Sequence, residues 1–193
     1  MNLERLLDIM RVPRIHRGFR QEIIENDAHW KSYLGPFCEH MPEHLRQGHS
    51  FVFLGPYSCG KSATAAHLLT RALDYHKVGC WISMDEIAQI TIEDSIFDHV
   101  TGKTLSEHIR TCPLLVIDEF FIRSGDLRYK EHATEMLVRR RVDDLRSTII
   151  TSNLSPGEIR KNFESFAAAL DQQFKMIKFP SYDFRQDRQG RLK

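Results

Sequence analysis

Residues 55–62 read Gly-Pro-Tyr-Ser-Cys-Gly-Lys-Ser, with glycine at the first and sixth places and a lysine and a serine closing the run. Glycines let a backbone curl until its N–H groups point inward at an anion, and a helix starting at the same point adds the positive end of its dipole. Lys61 neutralises terminal phosphates, and the Ser62 hydroxyl is a hard oxygen of the kind Mg²⁺ prefers. Every fixed position of G-x-x-x-x-G-K-[ST] is met, after the apolar run Phe51-Val52-Phe53-Leu54 and before a helix-compatible stretch, which is the context the motif requires. The expected ligand is a nucleoside triphosphate, ATP with Mg²⁺, cradled by Gly55, Pro56, Tyr57, Ser58, Cys59, Gly60, Lys61 and Ser62. Within the loop, Tyr57 and Cys59 need be no more than fillers.

A second apolar run, Leu114-Leu115-Val116-Ile117, ends in Asp118-Glu119. Strands of a parallel sheet release their C-terminal residues along one edge, so these carboxylates are predicted beside the phosphate loop. Asp118 is expected to hold Mg²⁺, directly or through water. Glu119 is placed to orient or deprotonate an attacking water, a role that contributes roughly 10²–10⁴-fold. A further run ends Thr151-Ser152-Asn153, and Asn153 is read as a contact to the γ-phosphate or the lytic water. Ser152 to Pro156 equally compose an ordinary strand-ending turn.

Five short apolar runs must position these groups: Phe51 to Leu54, Val78 to Ile82, Leu114 to Ile117, Thr148 to Thr151 and Phe174 to Phe179. The first four scarcely alternate, as expected of parallel strands covered on both faces by helices. Helix-compatible spacing falls between them at 61–76, roughly 84–90, 102–110, 130–146 and 155–172, with Pro156-Gly157 marking a cap or turn. The chain divides into an N-terminal extension at 1–48, a core at 49–180 and a basic tail at 181–193. In the extension, Leu3, Leu6, Leu7, Ile9 and Met10 form an apolar stripe that suits a partner helix or core packing equally.

The 193 residues, 41% hydrophobic and 27% charged, supply one substantial core. A net charge of +1 provides no global field for nucleic acid or an anionic membrane, so such binding would need local patches. The four cysteines are far apart with no C-x-x-C pair, which signals neither zinc nor a disulfide framework and fits reduced thiols in a cytoplasm. The ten histidines show no metal-ligand spacing. The charged start and the lack of a long apolar run predict no export signal and no membrane span.

Together, Gly55 to Ser62, Leu114 to Phe120 and Arg146 to Leu154 resemble the AAA+ ATPases, and within them the DnaC/IstB-like helicase loaders and transposition helpers. Val12-Pro13-Arg14-Ile15-His16-Arg17 is similar to a segment that lies near the adenine in that group. The resemblance covers roughly residues 11–185. It implies an α/β P-loop NTPase of the AAA+ (ASCE-type) class, a three-layer sandwich with a five-stranded parallel sheet, here with no C-terminal helical lid. It further implies an ATPase that forms a homo-oligomeric ring or spiral, grips single-stranded DNA and loads or remodels a replicative DNA helicase. An IstB-like transposition helper, whose partner is a transposase, is the alternative; a small-molecule P-loop kinase is the alternative from another class.

In a ring, Arg123, Arg128 and Lys130 fall in the loop after the acidic strand and are the candidate DNA contacts. Arg185 resembles the group's terminal arginine and is a candidate nucleotide contact. The group's Ser-Arg-Leu, whose arginine reaches a neighbouring subunit's ATP, is replaced here by Ala168-Ala169-Leu170. The substitutes available are Arg139, Arg140, Arg141 and Arg160, or else hydrolysis is slow, since such an arginine is worth about 10³–10⁵ in rate. Otherwise the run Arg139-Arg140-Arg141 reads as exposed surface or a subunit interface.

Overall fold

The structure, a computed structural model, describes residues 2–17, 24–25, 28, 30–92, 97–98, 102–120, 127–162 and 164–180. Its frame is a five-stranded, wholly parallel sheet of β1 (Ser50–Leu54), β2 (Cys80–Ser83), β5 (Leu114–Phe120), β6 (Ser147–Ser152) and β7 (Phe174–Lys178). The spatial order is β2-β5-β6-β1-β7. Alternate side chains of each strand enter opposite cores. Phe51, Phe53, Trp81, Leu114, Val116 and Ile149 face one, while Val52, Cys80, Ile82, Leu115, Ile117 and Ile150 face the other. Both faces are therefore dry over the first four strands, which is why those read as nearly unbroken apolar runs, whereas the edge strand β7 exposes Lys175 and Lys178.

The helices are α1 (Leu3–Ile9), α2 (Gly35–Glu39), α3 (Met41–Arg46), α4 (Lys61–Ala72), α5 (Met84–Ile92), α6 (Leu105–Thr111), α7 (Leu127–Asp143), α8 (Pro156–Asn162) and α9 (Glu164–Gln173). Helix α4 lies on the first face together with Leu7, Met10, Trp30, Leu34, Phe37 and Met41 from the N-terminal segment. The second face is covered by α5 to α9 through residues such as Ile87, Ile109, Val138, Ile159 and Leu170. Of the N-terminal apolar stripe, Leu7 and Met10 are buried, whereas Leu3 stays 53% exposed. Met10 also accepts a 2.8 Å hydrogen bond from the Trp81 backbone N–H, which satisfies part of the edge strand β2.

Two helix starts follow from reciprocal capping. Ser83 Oγ accepts from the Glu86 N–H while the Glu86 carboxylate accepts from the Ser83 N–H, and Ser155 and Glu158 repeat the exchange. The predicted helix over 102–110 starts later, at Leu105, because Lys103–Thr104 (β4) pairs antiparallel with Phe97–Asp98 (β3) and Thr104 caps the helix. The predicted strand at Val78 begins at Cys80, where pairing with Leu115 starts. Within the predicted 155–172 helix the structure describes α8 and α9, on either side of residue 163, which lies outside the described residues. No helix among the described residues is long and apolar enough to cross a membrane. All four cysteines are buried free thiols.

Arg141 is the exception to the surface reading of the arginine run. It is fully buried at 0% exposure, while Arg139 and Arg140 point to solvent. Its guanidinium donates to the carbonyls of Ile109 (2.8 Å), Arg110 (3.1 Å), Cys112 (3.1 Å) and Ser147 (2.5 Å), and to Thr148 Oγ1 (3.0 Å). The first three carbonyls belong to the C-terminal end of α6, where a cation is favoured by both unpaired acceptors and the helix dipole. Arg141 is thus removed from the candidates for an arginine acting on a neighbouring subunit. Arg141→Met is expected to cost about 3–5 kcal/mol, because several buried carbonyls lose their only charged donor. Urea unfolding tests this; a loss below about 1 kcal/mol would mean that water replaces the guanidinium there.

Candidate functional site

Because the strands are parallel, the ends of β1, β2, β5 and β6 emerge on one edge of the sheet. The registers Leu54↔Ser152, Ser83↔Asp118 and Phe120↔Ser152 tie these ends together. Strand β6 stands between the phosphate-loop strand and the acidic strand, so Thr151 and Asn153 are inserted between loop and carboxylates.

The loop is stitched down at its base, where the Gly55 N–H donates to Ser152 O and the Phe179 N–H donates to Leu54 O. A Cβ at Gly55 would lie 3.0 Å from both Cys59 Sγ and Phe179 O, so a side chain would fill the cradle. Gly60, with φ of 97°, makes the left-handed turn into α4 that an L side chain resists. Cys59 is fully buried beneath the loop, while Tyr57 is 70% exposed.

Lys61 is 6% exposed and folded onto its own loop. Its ammonium donates to Gly55 O (2.8 Å), Pro56 O (2.7 Å) and Asn153 Oδ1 (2.7 Å), with Cys59 Sγ a longer contact at 3.6 Å. A phosphate oxygen arriving here must exchange with at least one of these acceptors. Burial pulls Lys61 below the ordinary lysine range, partly opposed by Cys59 and Asp118. Asn153, half-buried, therefore stands at the tip of the Lys61 side chain.

Ser62 Oγ donates to Asp118 Oδ1 at 2.8 Å. The same carboxylate oxygen receives the Thr151 hydroxyl at 2.5 Å, and Asp118 is 8% exposed. A hydroxyl and a carboxylate brought together, both hard oxygen donors, fit Mg²⁺ and would suit a soft thiophilic ion poorly. Thr151 was not singled out by sequence reasoning. Only its parallel register beside Asp118 reveals it, although its place two residues before Asn153, at a strand end facing the site, was a usable signal.

Glu119 is exposed and has a left-handed backbone, with φ of 58°. Partial burial first, and then the neighbouring Asp118 and Asp85 carboxylates, raise its pKa above the usual glutamate range. The sign is that the protonated form is favoured in the fold: the contribution to stability is present at low pH and lost as pH rises through the raised value. A general base must be deprotonated to act, so a base at this position would lose activity on acidification; were Glu119 the base of an ATPase, a pH profile of kcat would show an acid limb that Glu119→Gln lacks.

Of the other residues singled out from the sequence, Lys130 lies 2.8 Å from Asp85, an ion pair between α7 and α5. Arg128 is in α7 with its side chain outside the described residues; Arg123 and Arg185 lie outside them altogether. Arg160 is exposed on α8. His16, from the segment compared with an adenine neighbour, sits 5.5 Å from the Trp81 ring centroid.

The α/β fold, with this sheet order and with the glycine loop and acidic strand end at one edge, is similar to that of several solved structures. The DnaC helicase loader superposes with a TM-score of 0.65 at 16% identity, covering 80% of this chain and 92% of that one. DnaI gives 0.64 at 16% identity, covering 89% of this chain and 96% of that one. The replication initiator DnaA bound to AMPPCP and single-stranded DNA gives 0.59 at 14% identity, covering 79% of this chain and 47% of that one; this chain spans about half of that protein. No family model matches the sequence, and no curated protein does.

Proposed function

We propose that the chain is an ATPase of the helicase-loader kind, which binds ATP with Mg²⁺ and single-stranded DNA and acts on a replicative DNA helicase as a ring or spiral. The observation that carries the nucleotide reading is the convergence of Lys61, Ser62, Asp118 and Asn153 at one sheet edge, within 2.7–2.8 Å contacts. Likeness of fold to DnaC and DnaI supports the replication reading, and the AMPPCP held by DnaA supports the choice of ligand.

In this reading the loop amides and Lys61 bind the triphosphate, and Asn153 exchanges its contact with Lys61 for one to the γ-phosphate. Ser62 and Asp118 hold Mg²⁺, whose charge offsets that of the phosphates. Glu119 takes the proton of the attacking water, and Arg185 lies against the nucleotide. Residues 1–48 serve as an extension bearing the adenine-side segment, 49–180 as the ATPase core and 181–193 as a basic tail.

Two measurements test the assignment. Phosphate release in the absence of any phosphorylated acceptor separates an ATPase from a small-molecule kinase, and capture of a cognate helicase rather than a transposase separates a loader from a transposition helper. For DNA, reversing charge at Arg123 and Arg128 should weaken single-strand affinity by about tenfold or more and flatten its salt dependence, as loss of phosphate contacts does. An unchanged salt titration would remove both residues from the DNA site.

A further inference from the structure

We propose that Thr151 is a positioning residue that clamps a bulge in β5 and thereby sets Asp118 and Glu119 for catalysis; this rests on the proposed ATP hydrolysis. The register of β5 on β6 runs Ile117↔Ile150 and then Phe120↔Ser152, so Asp118 and Glu119 together oppose the single residue Thr151. Such an extra residue bends a strand and re-aims its side chains. Regular alternation would put residue 119 in the core that holds Leu115 and Ile117. Instead, Phe120 occupies that core, with its ring 4.9 Å from Phe166, and Glu119 is lifted out to solvent.

What replaces the broken ladder is hydroxyl chemistry from β6. Thr151 is 2% exposed, and its Oγ1 accepts the Glu119 N–H at 3.0 Å while donating to Asp118 Oδ1 at 2.5 Å. One hydroxyl thus uses its proton on one carboxylate and a lone pair on the backbone of the next. Ser152 Oγ closes the far side by donating to Phe120 O at 3.0 Å. Glu119 keeps a left-handed φ of 58°, a conformation that a non-glycine residue holds only when its surroundings impose it. Without the Thr151 hydroxyl the Glu119 N–H loses this acceptor and Asp118 loses this donor, so both ties that hold the bulge to β6 at residue 151 are gone.

The test compares Thr151→Val, Thr151→Ala and Thr151→Ser in the full chain. Thr151→Val is expected to lower kcat by about 10–100-fold while leaving KM for ATP within about threefold, and Thr151→Ser to restore most of the rate. A merely structural role would lower thermal stability in Val and Ser alike and leave kcat in place, which would overturn the proposal. Should Thr151→Val fail to fold, the Ser and Ala variants decide: equal kcat in the two overturns the role of the hydroxyl. If the wild type itself releases no phosphate, the hydrolysis reading falls, and amide exchange at Glu119 still judges the clamp. Faster exchange of that N–H in Thr151→Val than in wild type supports it; equal protection sinks it.

Discussion

Lys61→Ala is expected to weaken ATP binding by about 100-fold or more, roughly 2.7 kcal/mol, measured by titration with a fluorescent ATP analogue. The size follows from where the charge sits. Lys61 is almost wholly buried, and a charge at low dielectric attracts a polyphosphate more strongly than one in water. Its oxygen acceptors in the resting loop are two carbonyls and an amide oxygen, all neutral, so exchanging one for an anionic phosphate oxygen is a gain. Alanine leaves the loop amides and the α4 dipole in place, which is why residual weak binding is expected rather than none. The melting temperature of the variant separates lost affinity from lost fold. Equal affinity in wild type and variant would overturn the nucleotide assignment altogether.

Glu119→Gln is expected to retain ATP and lose turnover by about 10²–10⁴-fold, the span that general-base catalysis supplies. Glutamine keeps the size and polarity of the side chain, and the carboxylate of Glu119 takes no part in the described contacts that hold Lys61, Ser62 and Asp118. Binding should therefore survive. Single-turnover phosphate release with nucleotide in place gives the rate of the chemical step. A variant that hydrolyses at the wild-type rate would move the base to another residue and leave the loop assignment standing.

Much of this site was legible before any coordinates. Gly55, Gly60, Lys61 and Ser62 declare themselves because phosphate chemistry demands those residue types at fixed local spacing, and the strand and helix flanking them form by local periodicity. Asp118 and Glu119 were found for a related reason, a polar pair at the end of an apolar run. The five strands were found because burial on both faces leaves the first four of them largely apolar, and their limits moved by one to three residues at either end, as at Cys80 and Phe120, because pairing partners rather than propensity decide where a strand starts and stops.

Arg141 and Thr151 were hidden for the opposite reason. A buried arginine is read as surface from its type alone, and only the approach of α7 to the end of α6 supplies the carbonyls that satisfy it. Thr151 is an ordinary strand residue until β6 is laid beside β5. The sequence by itself determined the glycine loop after β1 and the acidic end of β5, each encoded within a dozen consecutive residues, and the α/β class, encoded in the rhythm of apolar runs and helical spacing. Tertiary structure alone decided the order β2-β5-β6-β1-β7, the bulge that parts Asp118 from Glu119 and the meeting of Lys61 with Asn153. Those depend on which distant segments touch, and that is fixed by the joint packing of two cores rather than by any local pattern.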